Sequence, residues 1–338
     1  MIYITGDMHG QFERIQMHIL NMKGYQLNED DYLIVCGDFA ICWETCDIDE
    51  NNSRWQMRCS IFDSLPFTIL WVQGNHENYD MLEKFLPEEW HGGKVRHIIR
   101  DKVILLERGQ VFEIEGKKFF TFGGAKSHDV QGGIFERSDK HFHQKVALAQ
   151  KWGLPYRIMR ETWWPEELPS KKEMFEGLKN LEKEEYAIDY VITHCCATSL
   201  QNEIVKEYDD VYEPDILTDY FEQIEKKLKY KHWYFGHYHR NQHIDEKHTV
   251  LYQPIIKLDE TGDFSKVPKL GRPKYKKGDI VSYKFINEIK TGVITVVDAY
   301  GTFSQREEPS YDIMIQEPKL LHKHIMESLI MDDEIKKG

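Results

Sequence analysis

The sequence predicts a layered domain of mixed α and β structure, followed by a smaller β module. Two observations indicate the larger domain: short apolar runs of strand length end in polar residues, and segments with helical spacing of apolar residues lie between them. The strand-like runs are 2–5, 32–36, 68–72, 190–193 and 233–235. A third observation is the change to a glycine-, proline- and lysine-rich composition after about Asp259, which predicts a domain boundary there.

The elements of the larger domain follow in chain order. A β-α-β beginning is predicted because Phe12, Ile15, Ile19 and Leu20, which lie between the first two strand-like runs, have helical spacing. Further helices are predicted at about 52–63 and 80–85. The runs 103–106, 110–114 and 118–122 are separated by turn sequences with glycine, which is typical of antiparallel strands.

The second half of this domain contains an aromatic stretch and two charged segments. Residues at about 135–170 have little periodicity and many aromatic side chains, and they are predicted to form an inserted loop or lid. Residues 171–185 and 216–228 are strongly charged with apolar residues at helical spacing, which predicts two surface helices.

These patterns assign residues 1–260 to the larger domain, 261–278 to a basic linker and 279–338 to the module. Short strands are predicted at 279–285, 292–299 and 311–316, and a terminal helix from 318 to about 336. The module is similar in pattern to a small SH3-like barrel. The linker lysines either guide a nucleic acid or another polyanion or are simply solvated, and the terminal helix is an alternative dimerisation element.

Composition limits the class of protein. The net charge of −13 argues against a broad basic surface for nucleic acid. Six cysteines occur without a CxxC pair, so reduced thiols are expected, and Cys195 and Cys196 are interpreted as packed core residues. The sequence begins without a leader pattern and contains no run of about 18 apolar residues, so a cytoplasmic protein without a membrane partner is expected.

Residues of the types that bind metal ions follow each of the five strand-like runs. The motifs are Gly6-Asp7-Met8-His9-Gly10, Gly37-Asp38, Gly74-Asn75-His76-Glu77, Thr193-His194 and Gly236-His237-Tyr238-His239. Each motif by itself is weak evidence, Gly-Asp most of all, whereas Gly-Asn-His and Gly-His-x-His are rarer. The carboxyl ends of neighbouring strands, however, meet at one edge of a sheet. Their coincidence in order therefore predicts a metal site.

The order of these motifs resembles the signature of the calcineurin-like metallophosphoesterases, from Asp7 to His239. The resemblance implies an α+β fold, a four-layer αββα sandwich of two mixed sheets flanked by helices. It also implies two metal ions that share Asp38 as a bridging ligand. The implied ligands are Asp7, His9, Asp38 and His239 for the first ion and Asp38, Asn75, His194 and His237 for the second.

The resemblance implies hydrolysis of a phosphate ester by a hydroxide that bridges the metals, without a covalent intermediate. Oxygen and imidazole ligands suit Mn, Fe or Zn, with Mn favoured and Ni or Co as further candidates. By the same resemblance, His76 either stabilises the transition state or protonates the leaving oxygen.

One branch of the family, the Ser/Thr protein phosphatases, has Asp-Arg-Gly where Phe39, Ala40 and Ile41 follow Asp38. The phosphate-binding arginine of that branch, and the acid that orients its catalytic histidine, are therefore absent from their usual places. Another group must orient His76, and Glu44 and Asp47 are candidates by proximity in sequence.

Substrate contacts are predicted from two segments, 123–129 and 163–167, that resemble bacterial and phage metallophosphoesterases. His128 either reaches the site or has an ordinary role in its loop, and Arg137 or Lys140 either holds phosphate or is likewise an ordinary loop residue. Trp163 and Trp164 either stack on a nucleobase or form a hydrophobic plug. His141 and His143 are interpreted as surface histidines.

Three functions remain open at this stage. The first is hydrolysis of a phosphodiester or phosphomonoester, with a nucleotide or nucleic-acid fragment as the favoured substrate. The second is a Ser/Thr protein phosphatase, which the missing Asp-Arg-Gly disfavours. The third is a non-catalytic scaffold in which the C-terminal module binds a polyanion or a protein; such a protein would be expected to have lost metal ligands.

Overall fold

The computed structural model describes residues 1–12, 14–15, 28–42, 52–205, 212–260, 273–285, 288–299, 308–315 and 320–331. Most of the predicted first helix and of the basic linker lies outside this part of the chain, as do Glu44 and Asp47. The chain divides into two compact units, Met1–Gly262 and Asp263–Gly338. The predicted boundaries of linker and module remain a prediction.

The first unit contains strands and helices in mixed order. Its strands are β1 (Ile2–Thr5), β2 (Tyr32–Val35), β3 (Thr68–Trp71), β4 (Glu88–Trp90), β5 (Gly93–Ile99), β6 (Val103–Leu106), β7 (Gln110–Ile114), β8 (Lys117–Phe122), β9 (Gly133–Phe135), β10 (Tyr156–Ile158), β11 (Tyr190–Thr193), β12 (His232–Phe235), β13 (Gln242–His243), β14 (His248–Val250) and β15 (Ile256–Lys257). Its helices are α1 (Ser53–Asp63), α2 (Tyr79–Leu82), α3 (Phe142–Lys151), α4 (Lys171–Lys183), α5 (Thr198–Val205) and α6 (Ile216–Glu225).

Two mixed sheets form the centre of this unit. The seven-stranded sheet has the order β15-β1-β2-β3-β6-β5-β4, with a parallel centre from β1 to β6 and antiparallel edges. The six-stranded sheet has the order β13-β14-β12-β11-β8-β7, again parallel at its centre and antiparallel at its edges. All residues of β1 and β11 are buried, as expected for strands covered on both faces. The predicted fold class, with two mixed sheets, is confirmed.

Each sheet packs against helices through its own apolar cluster. Trp55 and Phe62 of α1 pack with Val35 and Trp71 of the first sheet. Leu181 of α4, together with α6, packs with the second sheet. The prediction of α4 and α6 as surface helices is confirmed, and both begin with a capping box, in which side chains bond to backbone N–H groups that the first turn leaves unpaired.

The predicted inserted loop at 135–170 is instead partly folded. Strands β9 and β10 form a two-stranded parallel sheet, and α3 lies between them in the chain. Phe135, Phe142 and Ala149 make a small core of their own. The loop prediction was wrong here because this core is small and needs few apolar residues. Those few residues leave no helical or strand periodicity in the sequence.

The second unit is an antiparallel sheet of β16 (Ile280–Phe285), β17 (Glu288–Asp298), β18 (Ser310–Ile315) and β19 (Leu320–Met326). The predicted terminal helix was wrong over 320–329, where β19 and a short 3₁₀ turn, Glu327–Leu329, are found. A bulge explains the error: the four residues 322–325 of β19 lie opposite only three residues of β18, 311–313. His322 and Ile325 are consequently both buried at a spacing typical of a helix.

No helix among the described residues is long and apolar enough to cross a membrane. The cytoplasmic location and the SH3-like topology of the module stay predictions.

Candidate active site

The predicted ligands lie in five loops that follow strands of both sheets. The loops after β1, β2 and β3 carry Asp7, His9, Asp38 and Asn75, and those after β11 and β12 carry His194, His237 and His239. The central strands of each sheet run parallel, so their carboxyl ends point to one edge. The first and the last motif of the sequence therefore meet in the structure, where His239 contacts Asp7 and His9.

The first group of ligand atoms belongs to Asp7, His9 and His239. Nε2 of His239 lies 3.1 Å from Oδ2 of Asp7 and 2.9 Å from Nε2 of His9. Although it is fully buried, Oδ2 of Asp7 accepts no hydrogen bond of good geometry. A buried carboxylate oxygen left in this way, beside two imidazole nitrogens, suits a divalent cation.

The second group belongs to Asn75, His194 and His237. Oδ1 of Asn75 lies 3.2 Å from Nε2 of His194 and 3.1 Å from Nδ1 of His237. The other ring nitrogen of His194 donates to the carbonyl of Cys36 at 2.7 Å, which fixes the ring so that Nε2 faces this group.

Asp38 lies between the two groups. Its Oδ2 is 3.5 Å from Nε2 of His194 and 3.9 Å from Nε2 of His9. One carboxylate oxygen thus faces both groups, as a ligand that bridges two ions must.

Electrostatics within the site keep the carboxylates ionised. Burial raises the pKa of Asp7 and of Asp38, but the attraction of His194 and the neighbouring imidazoles outweighs it, and both pKa values fall well below the usual range. The pKa of His194 is raised to about 9, because Asp38 and Asp7 outweigh the effect of burial. A cation bound at Nε2 would take the place of that proton.

The backbone of the site is unusual. Four of the predicted ligands have positive φ values between 45° and 68°: His9, Asp38, His237 and His239. Residues other than glycine rarely adopt this backbone conformation, and where they do it is often at a functional site. The loop after β3 needs a glycine at position 74 for a steric reason. A Cβ atom on Gly74 would lie 1.9 Å from Oδ1 of Asp38, so the loop after β3 can approach Asp38 only without a side chain.

His76 lies beside the metal ligands and contacts an arginine. Its backbone N–H donates to Oδ1 of Asp38 at 2.8 Å. Nη2 of Arg157 lies 2.9 Å from Nδ1 and 3.1 Å from Nε2 of its ring, and Nε of Arg157 donates to Asp129 at 3.1 Å. Burial lowers the pKa of His76 to about 3; Arg157 and His9 add to this effect and Asp38 opposes it. The imidazole is therefore neutral at neutral pH.

Sequence reasoning missed Arg157. It lies in β10 of the insertion, far from the motifs, and the only signal was the missing Asp-Arg-Gly, which left the place of a phosphate-binding arginine unfilled.

The predicted substrate residues are found in different surroundings. The ring of His128 is 5.2 Å from that of His237, and both line a cavity of about 410 Å³ with Lys126 and Tyr212. Arg137 pairs with Glu161 on an exposed surface.

The two tryptophans differ in burial. Trp164 is buried in the first apolar cluster, and its Nε1 donates to Asp80 at 2.9 Å, which favours the hydrophobic plug over a nucleobase platform. Trp163 is half-buried and donates to Glu167 at 2.8 Å. His141 and His143 are exposed and Cys195 and Cys196 buried, which confirms those predictions.

A buried chain of hydrogen bonds, also missed from the sequence, runs from Asn75 to the insertion. Nδ2 of Asn75 donates to Oγ of Ser127 at 3.1 Å, and Oγ of Ser127 donates to Oε2 of Glu167 at 2.6 Å. Burial raises the pKa of Glu167 to about 7, and its hydrogen bonds with Ser127 and Trp163 oppose that shift.

Comparison with known proteins identifies a matching family. Residues 1–241 match the calcineurin-like phosphoesterases. A similar solved structure is the crystal structure of phosphopantetheinyl hydrolase from Mycobacterium tuberculosis, with 14% sequence identity, 75% of this chain and 89% of that chain covered, and a TM-score of 0.38. No curated protein matches the chain.

Proposed function

Because the chain belongs to the calcineurin-like phosphoesterases, metal-dependent hydrolases of phosphate esters, we propose that it hydrolyses a phosphodiester or phosphomonoester at the site around Asp38. The observation that carries this proposal is the position of the Asp38 carboxylate. One of its oxygens lies within 4 Å of a ligand nitrogen in each of the two groups. A carboxylate in that position can bridge two ions, and two bridged ions stabilise the attacking and leaving oxygens of an in-line displacement at phosphorus.

The residues present fit two divalent ions. Asp7, His9, Asp38 and His239 would hold one, and Asp38, Asn75, His194 and His237 the other. A pair of ions bound there supplies an activated water and stabilises negative charge on the phosphate. Manganese is the favoured ion, since the donors are carboxylate, amide and imidazole without a thiolate, and Fe, Zn, Ni and Co are the alternatives.

His76 and Arg157 act on the substrate in this proposal. The neutral ring of His76 donates a hydrogen bond to the leaving oxygen, which lowers the charge that this oxygen must carry. Arg157 binds a non-bridging phosphate oxygen with the guanidinium that now contacts His76. Asp129 holds Arg157 in place, and Arg157 contacts the ring of His76, so this pair orients His76 in place of the acidic residue that other members of the family use.

The substrate class is a nucleotide or nucleic-acid fragment. The cavity beside His237 has room for more than a phosphate group, and it offers the aromatic ring of Tyr212 and the ammonium group of Lys126. Stacking on an aromatic ring and pairing with a cation are the contacts that nucleotides commonly make. His128 at the edge of this cavity is retained as a substrate contact.

The protein phosphatase alternative is weaker. Phe39 and Ile41, in the segment after Asp38 from which Asp-Arg-Gly is missing, are fully buried in the first apolar cluster, so they offer nothing to a phosphate. The scaffold alternative, with the C-terminal module as the binding part, predicts damaged ligands, whereas the sequence has a ligand-type side chain at every predicted position.

Hydrolysis by metal-stripped protein tests the proposal. We expect turnover of bis-p-nitrophenyl phosphate or p-nitrophenyl phosphate when Mn, Ni, Zn, Co or Mg is restored singly, and the ratio of diester to monoester activity directs the search for the substrate. A phosphopeptide turned over faster than a dinucleotide would support the phosphatase alternative. Two ions bound without any turnover would support the scaffold.

A further inference from the structure

The amide of Asn75 has its two ends in different surroundings. Its oxygen faces His194 and His237, where the proposed second ion would bind, and its nitrogen faces Ser127. An amide group can be turned over with little change of shape, and only its hydrogen bonds decide which end faces which neighbour. A metal requires the oxygen end.

Ser127 can accept from Asn75 only if its own proton points elsewhere. A hydroxyl group has one proton, and in this structure Ser127 gives it to Oε2 of Glu167 at 2.6 Å. The lone pairs of the hydroxyl oxygen are then left for Nδ2 of Asn75. The hydrogen bond from Ser127 to Glu167 thus fixes the direction of the one between Asn75 and Ser127.

Above its pKa of about 7, the Glu167 side chain acts only as a hydrogen-bond acceptor. Its Oε1 already accepts the backbone N–H of Ser127 at 3.0 Å and Nε1–H of Trp163 at 2.8 Å. An ionised carboxylate has no proton to give to Ser127, so the serine must donate to it. The whole chain therefore has one polarity, from the amide nitrogen of Asn75 to the carboxylate of Glu167.

The backbone of Glu167 is held separately from its side chain. Nη2 of Arg108 donates to the carbonyl of Glu166 at 2.8 Å and to that of Glu167 at 3.2 Å. A change confined to the Glu167 carboxylate would leave this anchor in place. The buried carboxylate is thus free to serve Ser127 and, through it, Asn75.

We propose that Glu167 is a positioning residue which, through the hydroxyl of Ser127, orients the Asn75 amide and so sets the affinity of the second metal position. This inference rests on the proposed two-metal site. It gives the insertion that carries Trp163 and Glu167 a role in metal binding. Groups that orient a ligand from behind typically change metal affinity by about 10–100-fold when they are removed.

Glu167→Gln in the full-length chain is the sharpest test. The amide oxygen of the new side chain would stay with the two N–H donors at Oε1, so its NH₂ group would face Ser127. Ser127 would then accept instead of donate, and its proton would point to Asn75. We expect Mn²⁺ titration calorimetry at about pH 8 to show one site unchanged and the other weakened by about 10–100-fold.

A second variant and a control complete the experiment. Ser127→Ala removes the relay and should weaken the same site. Thr121→Val, which removes a buried hydroxyl that donates to the backbone carbonyl of Glu107, should change the affinity of neither site. Electron paramagnetic resonance of the Mn²⁺ pair gives an independent readout, and the paired signal should need more Mn²⁺ in both relay variants.

Unchanged affinity at both sites in either relay variant would overturn the inference, as would equal weakening at both sites. Failure of the proposed function would be recognised differently. If the wild-type protein binds two ions and Glu167→Gln weakens only one of them, the relay is supported. If that same wild-type protein hydrolyses no phosphate ester, the enzymatic proposal is rejected.

Discussion

Asp38 joins both halves of the site through its two carboxylate oxygens. Oδ2 faces His9 and His194, while Oδ1 accepts the backbone N–H of His76. The positive φ of Asp38 and the missing side chain at Gly74 permit this position. In the proposed two-metal site, metal pairing and the placement of His76 thus depend on the same side chain.

Asp38→Asn is predicted to remove metal pairing. A neutral amide cannot offset the repulsion of two divalent ions, so we expect fewer than two bound ions per chain by elemental analysis. Hydrolysis should fall about a thousandfold, which corresponds to about 4 kcal/mol of transition-state stabilisation. Two ions retained at full affinity would contradict the bridging role.

His76→Ala is predicted to separate metal binding from rate. The ring is not required as a ligand, so both ions should be retained, while kcat should fall by about 100-fold or more through loss of help to the leaving oxygen. A substrate whose leaving group needs no such help, such as a p-nitrophenyl ester, should be less affected than an alkyl ester. Loss of metal equal to that in Asp38→Asn would refute the division of roles.

At the residue scale, the sequence was informative where chemistry and local sequence coincide. Asp7, His9 and His76 stand in short motifs after strands, so a pattern could find them. Ser127 and Glu167 could not be found in this way, because their roles depend on contacts between segments far apart in the chain.

At the element scale, the insertion delivers Arg157 to the site. The Arg157 side chain is only 11% exposed and is held by Asp129. A buried, carboxylate-held arginine beside the site is the arrangement expected of a phosphate-binding arginine. Here it comes from β10 and not from the loop after Asp38. The candidate from the sequence, Arg137, pairs instead with Glu161.

Arg157→Ala is predicted to weaken substrate binding and turnover without loss of metal. A charge-assisted hydrogen bond to phosphate is worth about 1.5–3 kcal/mol, so kcat/KM should fall by about 10–100-fold. Arg157→Lys should recover part of the loss, because it keeps the charge without the planar fork. Steady-state kinetics with Arg137→Ala as the matched variant decides between the two arginines: a loss there and none in Arg157→Ala would reject the assignment.

The elements themselves were predictable in proportion to the strength of their pattern. The buried strands β1, β3 and β11 are continuous apolar runs, and they appear where the sequence placed them. The insertion and β19 were missed for different reasons: a core of few residues leaves no period, and a bulge in β19 produces the spacing of a helix. Both are consequences of tertiary packing.

At the scale of the whole molecule, the chain contains two units that each have an apolar core. Residues of both sheets make up the clusters of the first unit, while Tyr283, Tyr311 and Ile313 are among the buried residues of the second. All predicted metal ligands belong to the first unit. The change in composition after Asp259 indicated such a division from the sequence, although it could not reveal the fold of the second unit.

Calorimetric unfolding of the full-length chain should therefore show two transitions, of which only one responds to Mn²⁺. An ion that binds only the folded first unit stabilises it by about 2.7 kcal/mol at a free concentration of about 100 Kd. For a unit of this size that corresponds to an increase in Tm of about 5–10 °C, while the Tm of the second unit should stay constant. Asp38→Asn provides the control, since its first transition should respond less. One transition that shifts as a whole would show that the two cores unfold together and that metal binding stabilises the complete chain.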